Sequence, residues 1–389
     1  MKKQATGRYS LLQAALWGIY GILFTYANRY LLDTGLSNTA TGVIIGAATA
    51  LSFGLQPALT AVVDRTRLQV RDVILISGGI IAACVPGLLL SQVLWLTVLL
   101  YGLSCVALQL LPSFVNALGM SGIRSGMKVN FGLSRGIGSV FFAVTAQLSN
   151  LLITRFGMQS IPVFTLLFSL LLLAGAVLFP HGDADRQPEE TASGTAEFIR
   201  RNPRFFLFLL GTVLLYVGHN VLSNCMYQIA SYKGNADAQG TAVMVAAVVE
   251  LPTMFLFTRL LRWKRCDIWV CLSGIFFTLR IVLTLLLPGV PGLYAAQLTQ
   301  LLGFALFAVS SVYYVGSVIP KRDVVKGQTY LGAANTVGSL AASVCAGAMI
   351  DAFGVGVMLL VCAAVSAMGM FIVFFSAQRV AQTAGAEES

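Results

Sequence analysis

The chain is 389 residues long, 57% hydrophobic and only 10% charged, against about 25% charged in an average soluble domain. Its formal charge of +10 is spread over short polar stretches between long apolar runs. This excludes nucleic-acid binding as the meaning of the basicity and points to a polytopic membrane protein. The seven Cys include no CxxC pair and no Cys/His ligand spacing, so neither a disulfide framework nor a metal site is expected.

Twelve apolar spans follow in order, at 9–32, 38–63, 72–91, 93–120, 130–154, 158–180, 204–231, 238–261, 267–287, 290–319, 326–351 and 355–378, each long enough to cross a bilayer as a helix. Met1-Lys2-Lys3 precedes an apolar run too long for a signal-peptide core, so the first span is expected to be retained. If the chain starts inside and alternates, all but five of the 25 Lys and Arg fall on the inner face. The five are Arg29, Arg155 and Lys233 on the opposite face and Arg135 and Arg280 within spans. The positive-inside rule then predicts a cytoplasmic-membrane protein with both termini in the cytoplasm.

The longest polar connection separates the spans into six and six. The expected organisation is an N-terminal half at 1–180, a cytoplasmic linker at 181–203, a C-terminal half at 204–379 and a tail at 380–389. A weak internal repeat supports two related halves. Gly138-Ser139 in span five leads to Phe156-Gly157, and Gly338-Ser339 in span eleven leads to Phe353-Gly354.

The polar residues within spans are where function is expected. Span two ends in Gln56-Pro57 and then Asp64-Arg65-Thr66-Arg67. Span four carries Asn116, and span five opens Phe131-Gly132-Leu133-Ser134-Arg135, with Phe142 two turns beyond. Span seven holds His219 and Asn220. Glu250 lies near the middle of span eight, where an ionised side chain costs at least about 2.5–3.5 kcal/mol and is normally retained for ion or substrate handling. Arg280 sits in span nine, and pairing it with Glu250 would lower the cost of both. Span ten contributes Gln297 and Gln300.

These segments resemble the major facilitator superfamily, and within it the lactose-permease-like branch of oligosaccharide and nucleoside proton symporters. The resemblance implies an all-α membrane fold of twelve transmembrane helices in two pseudo-symmetric six-helix halves. It assigns Asp64 and Arg65 to a loop that steadies one conformation, and Arg135 to hydrogen-bonding solute hydroxyls, for which the five fixed donors of a guanidinium are suited. Phe142 matches a sugar-stacking aromatic, and Asn116 stands where that branch has a carboxylate. Glu250 and Arg280 match the proton-coupling pair, with His219 as a further titratable group. Span ten departs from the branch: Gln297, Gln300 and Gly303 replace its Lys, His and Glu. Asn220 and Gln300 are added as solute ligands.

The function this implies is secondary transport of a sugar, oligosaccharide or glycoside by proton symport, with the proton gradient in place of any cofactor. Small-molecule solute, proton and lipid bilayer are the expected partners, and the protein is expected to act as a monomer. The alternatives are a nucleoside/proton symporter, an uncoupled facilitator and, from another class, a transporter-like sensor without flux. No nucleophile elbow, phosphate loop, HExxH or dinucleotide turn suggests an enzyme.

Overall fold

Most helices of this chain are apolar around their whole circumference, as expected of segments that face packed neighbours on one side and lipid on the other. Leu51, Leu99, Leu151, Phe255, Phe371 and Phe375 all lie open on outer faces, a pattern no soluble core tolerates. The computed structural model describes residues 5–66, 68–180 and 195–380 and shows an all-helical protein, with no strand among the described residues.

The helices are α1 (Thr6–Asp33), α2 (Asn38–Arg65), α3 (Val70–Leu90), α4 (Leu94–Arg124), α5 (Phe131–Phe156), α6 (Ser160–Leu178), α7 (Pro203–Asn224), α8 (Ala238–Trp263), α9 (Cys266–Leu286) and α10 (Gly289–Val318). The final helix, Val324–Ser376, is continuous except at Gly354, which divides it into α11 (324–353) and α12 (355–376). Two short helices flank α7, Thr195–Arg201 before it and Met226–Tyr232 after it. Among the described residues the twelve expected spans thus map onto eleven apolar stretches long enough to cross a membrane, because spans eleven and twelve join without a loop. Of the expected linker, residues 181–194 lie outside the described residues, as does 381–389 of the tail.

Two compact units form, each with its own apolar core. One comprises Met1–Arg186 with Gln239–Ala247, the other Gln187–Ala238 with Val248–Ser389. The first turns of α8 therefore belong with the N-terminal spans, and hydrogen bonds show why. Gln239 Nε2 donates to the Thr25 carbonyl (2.8 Å) and Thr241 Oγ1 to Gln147 Oε1 (3.1 Å). Gly240 abuts Asn150 and Tyr26, with no room there for a Cβ.

The internal repeat reappears in the backbone. Gly157 ends α5 at φ 77°, ψ −178°, and Gly354 ends α11 at φ 80°, ψ 171°, a region that strains any L side chain. A Cβ on Gly138 would lie 2.6 Å from Trp17 of α1, and one on Gly338 would lie 2.7 Å from Tyr216 of α7. The two units thus repeat one crossing, α5 on α1 and α11 on α7.

Two helices are broken where polar residues gather. In α1, Tyr20–Phe24 forms a π-turn, with the Thr25 amide reaching back to the Tyr20 carbonyl; such bulges recur at functional sites. In α10, the helix Gly289–Leu298 gives way to a 3₁₀ turn at Thr299–Leu301 and restarts at Phe304. The carbonyl of Leu301, next to this break, accepts from Thr253 Oγ1 of α8 (2.7 Å). Irregular backbone at membrane depth needs such a partner.

Candidate functional site: two polar clusters in apolar helices

In the N-terminal unit a polar cluster grows from one face of α1, where Tyr9, Gln13, Trp17 and Tyr20 recur at helical spacing. Gln13 is fully buried, so its amide must find partners inside the protein. Its Nε2 donates to Tyr9 Oη (2.8 Å) and to Asn116 Oδ1 on α4 (3.1 Å), and its Oε1 accepts from Trp17 Nε1 (3.1 Å). Arg135 of α5 lays its guanidinium over the Trp17 ring, Cζ to centroid 4.1 Å, while Nη1 donates to Ser139 Oγ (2.9 Å). Cation and indole partly compensate each other's burial. Phe142 meets Trp17 edge-on, with centroids 6.4 Å apart and planes at 83°.

Three residues that stand out in the sequence, Asn116, Arg135 and Phe142, are therefore brought together. Gln13 and Trp17, which join them, are absent from the candidates drawn from sequence. Their signal is nonetheless present: a Gln in an apolar span, with a Tyr one turn before it and a Trp one turn after, leaves a buried amide that needs organised partners.

In the C-terminal unit the cluster is built on α7, α8, α9 and α10. Arg280 is 4% exposed, and Gln297, fully buried, accepts from its Nε (3.1 Å) and also from its Nη2. Arg280 Nη1 approaches His219 Nδ1 at 3.3 Å. A guanidinium has no acceptor, so this contact is a hydrogen bond only when Nδ1 is unprotonated, with the ring hydrogen on Nε2. The His219 ring is also stacked on Phe304 at 4.4 Å, which fixes its plane. Glu250 accepts from Gln300 Nε2 (2.8 Å) and acts electrostatically on Arg280. Gln297 and Gln300, three residues apart across the α10 break, thus bind the guanidinium and the carboxylate respectively. Sequence suggests Glu250 and Arg280 as a pair; in the structure each of them is hydrogen-bonded to a glutamine.

Asn220 lies apart from this group. Its Nδ2 donates to the Tyr216 carbonyl (2.9 Å) and to Asn335 Oδ1 of α11 (3.1 Å). Arg65 is exposed in the last turn of α2, where a cation suits the helix carbonyl end. The side chain of Asp64 lies outside the described residues. Gln56, of the Gln-Pro pair, donates to Ser113 Oγ on α4 (2.7 Å). No group of His, Cys, Asp and Glu able to hold a metal exists among the described residues.

A family model described as "MFS_1 like family" matches residues 8–361. A protein of Deinococcus radiodurans that bears the provisional description of a sugar efflux transporter is 27% identical over 222 residues. That match covers 54% of this chain and 56% of the relative, so the chain aligns with little more than half of its length. Among solved structures, the nucleoside transporter NupG superposes with a TM-score of 0.81 at 16% identity, covering 95% of this chain and 98% of that one. A bacterial homologue of the human lysosomal transporter Spinster, inward-facing and unoccupied, gives 0.69 at 11% identity, covering 95% of each chain. At these identities the structural likeness establishes the fold, the twelve-helix major facilitator arrangement.

Proposed function

Because the chain belongs to the MFS_1 like family of multi-pass membrane transporters, we propose that it is a secondary transporter carrying a small hydroxylated solute across the cytoplasmic membrane by proton symport. Alternating access of its two six-helix halves supplies the transport cycle. A sugar, oligosaccharide or glycoside is the leading solute class. The observation that carries this is the N-terminal cluster, where guanidinium, amides and an indole converge within otherwise apolar helices. Such a set donates to and accepts from hydroxyls while offering a flat apolar face to a sugar ring.

In this reading Asn116, Arg135 and Phe142 are the solute ligands of the N-terminal unit, and Asn220 and Gln300 are the candidate solute ligands of the C-terminal unit. Glu250 is the proton carrier, since its hydrogen bond with the neutral amide of Gln300 can survive protonation of the carboxyl: Gln300 then accepts through its own carbonyl after a flip. Arg280 senses the change in charge. His219 serves first as a hydrogen-bond acceptor that holds Arg280, and it takes a proton only when that guanidinium moves away. Asp64 and Arg65 steady the cytoplasmic end of α2. The protein acts as a monomer with both termini in the cytoplasm, uses the proton gradient and needs no cofactor.

A nucleoside is the second reading, favoured by the run of rings Trp17, Tyr20 and Phe24 beside Phe142, which suits a planar base. The decisive experiment is reconstitution in liposomes with an imposed pH gradient and uptake of radiolabelled lactose, methyl β-D-glucoside, uridine and adenosine. Concentrative uptake of a sugar that collapses with a protonophore supports the leading reading. Uptake of a nucleoside alone replaces it with the second, and binding without movement of any solute would leave a sensor.

A further inference from the structure

The geometry points to Trp17 as the aromatic surface that receives the solute ring, with the Arg135 guanidinium covering that face until the solute displaces it. This rests on the transport reading above and names the residue that decides which solutes the N-terminal cluster accepts.

The indole is firmly held. Its Nε1–H donates to Gln13 Oε1, and Gln13 cannot rotate away, because its amide nitrogen is committed to Tyr9 and Asn116 and the residue is fully buried. The Cδ1 edge of the indole lies against the α5 backbone at Gly138, where a Cβ would come within 2.6 Å. Tyr20, tilted by 32° at 5.2 Å, and Phe142, at 83° and 6.4 Å, brace it further. A ring pinned at its hydrogen-bonding edge and along its sides keeps little rotational freedom, so stacking a solute on it costs little ordering entropy.

The two rings also differ in orientation. Phe142, the candidate suggested by sequence, holds its plane nearly perpendicular to the indole. Trp17 instead presents a face, and what lies over that face is the guanidinium of Arg135 at 4.1 Å. The guanidinium is planar, carries its own donors and is also bonded to Ser139 at the i+4 position of its helix, so it can swing off the indole and keep a hydrogen-bond partner. A solute with an apolar or π face and hydroxyls on its rim replaces the cation on the indole and takes the displaced N–H groups at its edge. Solutes without such a face, such as an open-chain polyol, gain the hydrogen bonds but not the stack, and are discriminated against.

Trp17 is one of four Trp in the chain, with Trp95, Trp263 and Trp269, and this makes the test direct. Purified protein is titrated with lactose, methyl β-D-glucoside, uridine, adenosine and sorbitol, with binding read by thermal shift and by intrinsic fluorescence. Wild type is expected to bind at least one of the four ring solutes, with a fluorescence change, and to bind sorbitol at least tenfold more weakly. Trp17→Leu is expected to lose at least tenfold in affinity for that solute, Trp17→Phe to stay within about threefold, and Phe142→Leu to lose less than Trp17→Leu. Retained affinity in Trp17→Leu, or a larger loss in Phe142→Leu, overturns the proposal alone. Loss in both Trp17 variants to the same extent, in protein that remains monodisperse, assigns Trp17 a packing role and also overturns it. Failure of wild type to bind any of the four ring solutes overturns the transport reading beneath it.

Discussion

Gln297→Leu tests the claim that a glutamine is an acceptor on which the buried cation of the C-terminal unit depends. The substitution preserves size and helix propensity but removes the oxygen that accepts from both Nε and Nη2 of Arg280. Each hydrogen bond to a charged group is worth about 1.5–3 kcal/mol, and a buried partner left unsatisfied forfeits its desolvation as well. With Arg280 4% exposed and Gln297 fully buried, solvent cannot replace the acceptor, and removing one side of a buried charged interaction costs about 3–5 kcal/mol. At roughly 2 °C per kcal/mol for a chain of this size, the midpoint should fall by about 6–10 °C. Unfolding can be followed with a thiol-reactive dye, because Cys84, Cys105, Cys225, Cys266 and Cys362 are buried and free until the fold opens. The double variant Arg280→Leu/Gln297→Leu removes donor and acceptor together and should be less destabilised than Gln297→Leu alone. A Gln297→Leu midpoint within about 1 °C of wild type, against the several degrees expected, or a double variant that falls further than the single one, would mean that Gln297 does not hold the cation.

Glu250→Gln keeps an amide-bonding partner for Gln300 but cannot carry a proton, so proton-driven accumulation in liposomes should vanish while the protein still reaches the membrane; wild-type accumulation would remove Glu250 from the coupling step. Arg135→Lys retains the charge but loses the planar fork that bonds Ser139 while covering the indole, and solute affinity measured by thermal shift should drop several-fold; unchanged affinity would make Arg135 structural. Gly354→Ala meets open space but a φ of +80°, so its cost of about 1–2 kcal/mol is purely a backbone one, seen as a lowered unfolding midpoint. Gly138→Ala places a methyl against Trp17 and should both lower the midpoint and alter intrinsic fluorescence, whereas Gly132→Ala, with no close neighbour but the Asn130 side chain at 3.9 Å, should do neither.

Much of the architecture is legible in sequence because lipid imposes a crude rule: a helix must be apolar over its full length, and every exception stands out. Arg135, Glu250 and Arg280 can be found as charges inside apolar spans for this reason. The repeat pairs Gly157 with Gly354 and Gly138 with Gly338, and its meaning also survives in the sequence, since a positive φ and a close helix crossing both demand glycine. Trp17 and Gln13 are harder to see, because an aromatic or amide residue in an apolar span violates no rule by itself.

What the one-dimensional pattern determined is which side chains could not be ordinary: three charges within spans and a set of amides that a membrane interior does not tolerate unpartnered. Which of them touch was decided by the tertiary structure. Sequence pairs Glu250 with Arg280 because opposite charges attract at any distance one cares to assume. The fold breaks α10 between Gln297 and Gln300 and presents one amide to the cation and the other to the carboxylate. Likewise, Phe142 is the expected stacking ring on α5; in the fold its plane stands nearly perpendicular to that of Trp17, and it is the Arg135 guanidinium that lies over the indole. Composition along a helix records what must be buried or paired, whereas partner choice depends on helix crossings and breaks, and these are set by packing between segments far apart in the chain.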